Sequence, residues 1–142
     1  MQQDVPQYPD SSYSADTETE SLKLPPYSLE AEQAVLGGLM IDNSTWDQVS
    51  DVVMEADFYR ADHRLIYEAI FSLAEENNPY DVVTLSEWLD SRNELNNIGG
   101  LSYLGSLAKN TPTAANIKAY AKIVRERSVL RQLISVATGI AE

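Results

Sequence analysis

Residues 113–142 read TAANIKAYAKIVRERSVLRQLISVATGIAE, and this stretch decides the fold. Thr113 can cap a helix, and nothing after it breaks one before the final residue. Gly139 lowers the local helix propensity but stands alone. A helix over Ala114–Glu142 would contain 29 residues, about 43 Å at 1.5 Å per residue. Ile123, Leu130 and Ala137 recur every seven residues, and Leu133 with Ile140 fill the second seam position. Ile117, Ala121 and Val124 form another stripe near the start. One neighbour cannot cover that much apolar surface, and the pattern ends without a capping Gly or Pro. We therefore read residues 113–142 as the first long helix of a helical hairpin, truncated inside it.

Upstream, residues 22–112 read as a compact head of several short helices. Pro25-Pro26 stops any earlier structure, and Ser28 is placed to cap a first helix. Glu30 and Glu32 fall in its first turn, where negative charge favours the helix dipole. Gly37-Gly38 sits within the apolar pattern; two adjacent glycines inside a helix suggest that another backbone comes close, the alternative being a helix that ends early there. Asn43 or Ser44 is expected to cap a second helix with Trp46, Val49, Val52 and Val53 on its apolar face. Asp62 is expected to cap a third, in which Leu65, Ile66, Ala69, Ile70 and Leu73 share a buried face. Asn77-Asn78-Pro79 ends it. Thr84-Leu85-Ser86-Glu87 fits a capping box for a fourth helix. Gly99-Gly100 is a turn, Leu101–Ala108 a short fifth helix, and Thr111-Pro112 its break. No segment alternates convincingly enough to be a strand, so the fold class is all-α.

Charge separates the chain into zones. It holds 22 acids and 10 bases, a formal net charge of −12. Such a surface repels duplex DNA phosphates rather than gathering them. Residues 1–21 are acidic, polar and poor in aliphatics, so they read as a disordered tail that cannot offset its own ordering entropy. The basic residues concentrate in the last helix. Lys118, Lys122 and Arg125 share a face and Arg127 pairs with Arg131, which we read as a solvated or partner-facing stripe. The absence of cysteine excludes disulfide scaffolds, thiolate metal sites and thiol nucleophiles. The longest apolar run, Ala34–Ile41, has eight residues, against about 20 for a membrane span. No basic, apolar leader stands at the N-terminus. A soluble, intracellular protein is the expectation.

Catalytic signatures are weak. Gly100 and Gly105 have phosphate-loop spacing, but Ser106 stands where that loop needs lysine. His63, the only histidine, lies near Asp57 and Asp62; one imidazole and two carboxylates are poor grounds for a metal site. The plainer reading puts His63 in the first turn of a helix capped by Asp62. No catalytic, nucleotide-binding or metal-binding residue is assigned.

Several separated blocks nevertheless resemble one family. Pro25-Pro26-Tyr27-Ser28-Leu29-Glu30-Ala31-Glu32-Gln33-Ala34-Val35-Leu36-Gly37-Gly38 is similar to the opening of the N-terminal domain of bacterial replicative DNA helicases, the DnaB family. Asp57-Phe58-Tyr59 with His63-Arg64, then Gly99-Gly100 with Tyr103-Leu104, then Asn110-Thr111-Pro112 and Ala114-Ala115-Asn116-Ile117 continue in register. Ala119-Tyr120-Ala121 and Ile123-Val124-Arg125-Glu126-Arg127 close the match.

The resemblance implies an all-helical head and a helical hairpin, assembled as dimers within a hexameric collar that docks primase through the primase C-terminal domain. ATP and Mg would belong to a motor domain C-terminal to this chain, and DNA would be engaged only through the assembled ring at the replication fork. It implies partner contacts, with primase or a second subunit, at Tyr103, Ile134 and Ile140. The exposed seam of the last helix points to self-association through Ile123, Leu130 and Leu133. A helical adaptor of another complex and a small carboxylate enzyme are the competing readings.

Overall fold

The computed structural model describes residues 24–141, with side chains to residue 139. The acidic tail expected over 1–21 lies outside the described residues. Six α-helices follow in order: α1 Leu29–Ile41, α2 Trp46–Ser50, α3 Ala61–Glu75, α4 Val82–Ser91, α5 Gly100–Lys109 and α6 Ile117–Ala141. Short 3-10 turns at Asn43–Thr45, Glu55–Asp57 and Asn96–Ile98 lie between them. The described residues contain no strand, so the fold is all-α. None of their helices is long and apolar enough to cross a membrane.

α1 is the axis of the head. Eight of its thirteen residues are buried, including Glu32 and both glycines, and such all-round burial marks a helix packed on several sides. Its start is as read from sequence, with the Ser28 hydroxyl accepting from the Ala31 N–H. The glycines lie within an unbroken helix. A Cβ on Gly37 would strike the Leu107 carbonyl and the Thr111 hydroxyl; one on Gly38 would meet Ile117 Cδ1 at 2.8 Å. Gly37 thus seats the end of α5, and Gly38 the start of α6. Around this axis Leu36, Leu39, Phe58, Ile66, Ile70, Leu85, Leu89, Ile98, Leu104 and Ile117 fill the core.

Several helix starts differ from the expectation. Asp42, not Asn43 or Ser44, provides the cap before α2, accepting from the Ser44 N–H. α3 begins at Ala61 without a side-chain cap, and Asp62 sits in its first turn, paired with Arg60 at 2.7 Å. α4 begins two residues before Thr84: the Asp81 carboxylate accepts from the Thr84 N–H at 2.9 Å, and the Thr84 hydroxyl accepts from the Asp81 N–H at 2.8 Å. That reciprocal pair meets the first-turn donors, and the resulting register buries Leu85 and Leu89. α3 and α4 end alike, on Asn77 and Asn93 with φ of 59° and 61°. In each case the next N–H returns to the carbonyl five residues back, from Asn78 to Leu73 and from Glu94 to Leu89. These are Schellman closures with asparagine in the left-handed position.

α6 starts at Ile117, not after Thr113, because Thr113 closes a local turn by accepting from the Ala115 N–H. It is 25 residues long, about 37 Å. Its first half lies along α1 and buries Ile117, Ala121 and Val124, the stripe identified in the sequence, and also Ser128. Beyond Ser128 the described residues of this helix are exposed, apart from the half-buried Arg131.

An aromatic cluster closes the far side. Trp46 meets Tyr67, Phe71 and Tyr80 with ring centroids 5.6, 6.1 and 6.4 Å apart. The two tyrosine hydroxyls donate to backbone carbonyls, Tyr67 to Val53 and Tyr80 to Asn43, each at 3.2 Å. Burial, with Asp42 and Asp47 nearby, pushes the Tyr80 phenol up to about 12, and burial pushes Tyr67 up as well. A phenol whose folded pKa exceeds its unfolded value leaves stability intact below the unfolded value near 10. Stability then declines as pH rises from there toward 12. An alkaline titration followed by ultraviolet absorbance and circular dichroism should show two late-ionising tyrosines that titrate as the helices melt. Full ionisation of all tyrosines with helicity intact would contradict this.

Candidate functional site

A chain of buried polar groups crosses the head and ends at Tyr103. Glu32 on α1 and His63 on α3 are almost fully buried, 1% and 0% exposed. Glu32 Oε1 lies 2.7 Å from His63 Nδ1, and Glu32 Oε2 accepts the Tyr59 N–H at 2.7 Å. The opposite nitrogen, His63 Nε2, lies 2.7 Å from the Tyr103 hydroxyl. That hydroxyl oxygen also accepts from Gln33 Nε2 at 3.3 Å. Tyr103 itself is half-buried on α5. Its ring runs nearly parallel to the imidazole, 9° between planes, and the Arg60 guanidinium lies 6.0 Å from its centroid.

Gly99 completes the seat. Its φ of 97° favours glycine, and a Cβ there would come within 2.9 Å of Tyr103 Cβ. The sequence offers Tyr103 through the family resemblance, and the structure places it half-buried on α5. The sequence does not reveal Glu32 and His63 as members of one network. Glu32 is the first-turn acid read from the sequence, and it also shares the buried face of α1 with Val35, Leu36 and Leu39, which that reading does not foresee. A carboxylate inside an apolar register is the available signal. Both His63 nitrogens are engaged by hydrogen bonds.

A second buried acid ties α6 to the head. Asp57, 2% exposed, accepts from Arg125 Nη1 at 2.8 Å and from the Met54 N–H at 2.8 Å. Arg131 donates to the Asp57 and Pro26 carbonyls at 2.7 and 2.8 Å and lies over the Tyr59 ring. The basic stripe expected to be solvated or partner-facing is therefore divided. Arg131, half-buried, and Arg125, still largely exposed, bond to the head, while Lys118 and Lys122 are exposed.

The other candidate residues lie along α6. Leu130, Leu133 and Ile134 are 46%, 61% and 54% exposed, alongside Val129 and Val136. Ile123 departs from the expected exposed seam: it is half-buried and packs against the head core. The Ile140 side chain lies outside the described residues. Tyr103 is hydrogen-bonded to α1 and α3, and none of its described hydrogen bonds reaches α6. Where α1, α5 and the start of α6 meet, a cleft of about 280 Å³ opens, lined by Gln33, Leu107, Asn110, Thr111, Asn116 and Tyr120 among others. Gln33 touches both this cleft and the Tyr103 hydroxyl.

Comparison with known proteins agrees with this geometry. Residues 24–126 match the family described as "DnaB-like helicase N terminal domain". The chain is 48% identical over 129 residues to the replicative DNA helicase DnaB of Haemophilus influenzae, covering 91% of this chain and 28% of that protein. It thus spans about a quarter of the length of that relative. It superposes on the crystal structure of the N-terminal domain of DnaB helicase from Mycobacterium tuberculosis with a TM-score of 0.81 and 41% identity, covering 83% of this chain and 82% of that one. A structure of the N-terminal domain of DnaB helicase from Helicobacter pylori, described together with its interactions with primase, matches with a TM-score of 0.65 and 25% identity, over 78% of this chain and 86% of the other.

Proposed function

The chain belongs to the family of DnaB-like helicase N-terminal domains, and on that premise we propose that it is the collar domain of a hexameric replicative helicase, pairing subunits and docking primase. It corresponds to the non-catalytic N-terminal region of that family. ATP-driven unwinding, with ATP and Mg, belongs in this reading to a motor domain elsewhere in the protein. DNA is then met only by the assembled ring, in the cytoplasm at the replication fork.

The observation that supports this reading best is the bare second half of α6. Val129, Leu130, Leu133, Ile134 and Val136 are all exposed on one helix, and a contiguous apolar strip of this kind marks an interface. Each such side chain, once buried, is worth roughly 1.5–3 kcal/mol at most. Self-association is the first consequence. Leu130→Glu with Leu133→Glu should shift the chain toward monomer, because a buried carboxylate lacks partners. Sedimentation of wild type and variant over a concentration series measures it, and a wild type that stays monomeric at high concentration defeats the claim.

Primase docking is tested at Tyr103. A half-buried tyrosine offers a large ring at modest entropic cost. Tyr103→Ala should cost about 2 kcal/mol in affinity for the primase C-terminal domain, about thirtyfold. Titration calorimetry, with a melting curve on the same sample, reads both affinity and fold. Wild-type affinity in this variant ends the docking role of the residue.

A further inference from the structure

We propose that His63 is a positioning residue for Tyr103: held by Glu32, it fixes the direction of the Tyr103 hydroxyl and pins the ring at the head surface in the pose a partner meets. The inference rests on the docking role given to Tyr103 above.

The protons can be placed atom by atom. Glu32 Oε2 takes the Tyr59 N–H, and Glu32 Oε1 faces His63 Nδ1. A carboxylate only accepts, so the proton of that bond sits on Nδ1. With the imidazole neutral in that tautomer, Nε2 is an acceptor, and the Tyr103 hydroxyl 2.7 Å away donates to it. Gln33 then donates to the same hydroxyl oxygen. The Tyr103 donor is consumed inside the head, so a docking partner meets the ring and at most one oxygen lone pair. The other charged groups near this end of the chain are Asp62, whose Oδ1 is 4.0 Å from Nε2, and Arg60 near the ring. Asp62 is itself paired with Arg60 through both carboxylate oxygens.

Any buried histidine needs partners for both nitrogens; what is particular here is that one partner is a half-buried residue on another helix, so the chain runs from α1 through α3 to Tyr103. A buried polar network costs desolvation and returns a defined orientation. Here the oriented group is the one side chain of the head already implicated in docking.

The test is a double-mutant cycle on the full chain, with affinity for the primase C-terminal domain as readout and a melting curve as the control for folding. His63→Gln retains a polar side chain but not the two-sided geometry of imidazole. It should weaken docking about five- to tenfold in the wild-type background and have no further effect in Tyr103→Ala, the non-additivity expected of coupled neighbours. Glu32→Gln should behave in the same way and takes over if His63→Gln does not fold. Equal losses in both backgrounds mean that His63 acts through the fold, which overturns the inference. Full affinity in His63→Gln while Tyr103→Ala is weakened also overturns it and leaves the docking role standing. Full affinity in Tyr103→Ala overturns the docking role and the inference together.

Discussion

Gly37→Ala should destabilise the head by about 2–3 kcal/mol, although alanine is the better helix former by about 1 kcal/mol. The added carbon would run into the Leu107 carbonyl and the Thr111 hydroxyl. The first is backbone of α5 and cannot rotate away. The second is held in place, since Thr111 donates to that same carbonyl at 2.9 Å. Relief requires α1 and α5 to separate, and close-packed interiors resist such shifts. The adjacent residue is the control. At Gly38 the new carbon meets Ile117 Cδ1 at 2.8 Å and Cγ1 at 3.3 Å, the end of a side chain that can change rotamer. Gly38→Ala should therefore stay within about 1 kcal/mol of wild type, its propensity gain offsetting the crowding. Urea denaturation of the two variants decides the matter. Equal losses at both positions would mean that the close approach is not specific to Gly37.

The glycine pair is legible in the sequence because two adjacent glycines weaken a helix, and an apolar helical pattern that continues through them needs a close neighbour to compensate. The stripe Ile117, Ala121, Val124 is legible for a similar reason, since periodicity reports which face is buried. Helix starts are less so. Thr84 and Asp81 both head plausible capping strings, and only the packing of Leu85 and Leu89 selects one. Buried charge is hardest to read. Glu32 and His63 are separated by 31 residues, and Arg125 and Asp57 by 68. Each looks like ordinary surface charge until the fold brings its partner to it. Tyr103 enters as a candidate only through the family resemblance, and the network that holds it is not visible in the sequence at all.

His63→Leu should be the costliest substitution of the head, at about 3–5 kcal/mol, because it leaves the buried Glu32 carboxylate with the Tyr59 N–H as its one described partner. The Tyr103 hydroxyl loses its acceptor as well, but it lies nearer solvent and can turn outward. If the unpaired carboxylate is the cause, removing it must help. Glu32→Leu combined with His63→Leu should recover about 2 kcal/mol relative to His63→Leu alone, since apolar side chains of similar volume replace a buried pair at little net cost. Recovery stays incomplete because the Tyr59 N–H then lacks its acceptor, a loss of about 1–3 kcal/mol. Melting curves of wild type, the two single variants and the double variant give the coupling directly. Additive losses would show that the two side chains matter only as volume. The same double variant separates stability from recognition. An apolar pair can restore packing between α1 and α3, but it offers Tyr103 no acceptor, so its affinity for primase should stay low while its melting temperature rises.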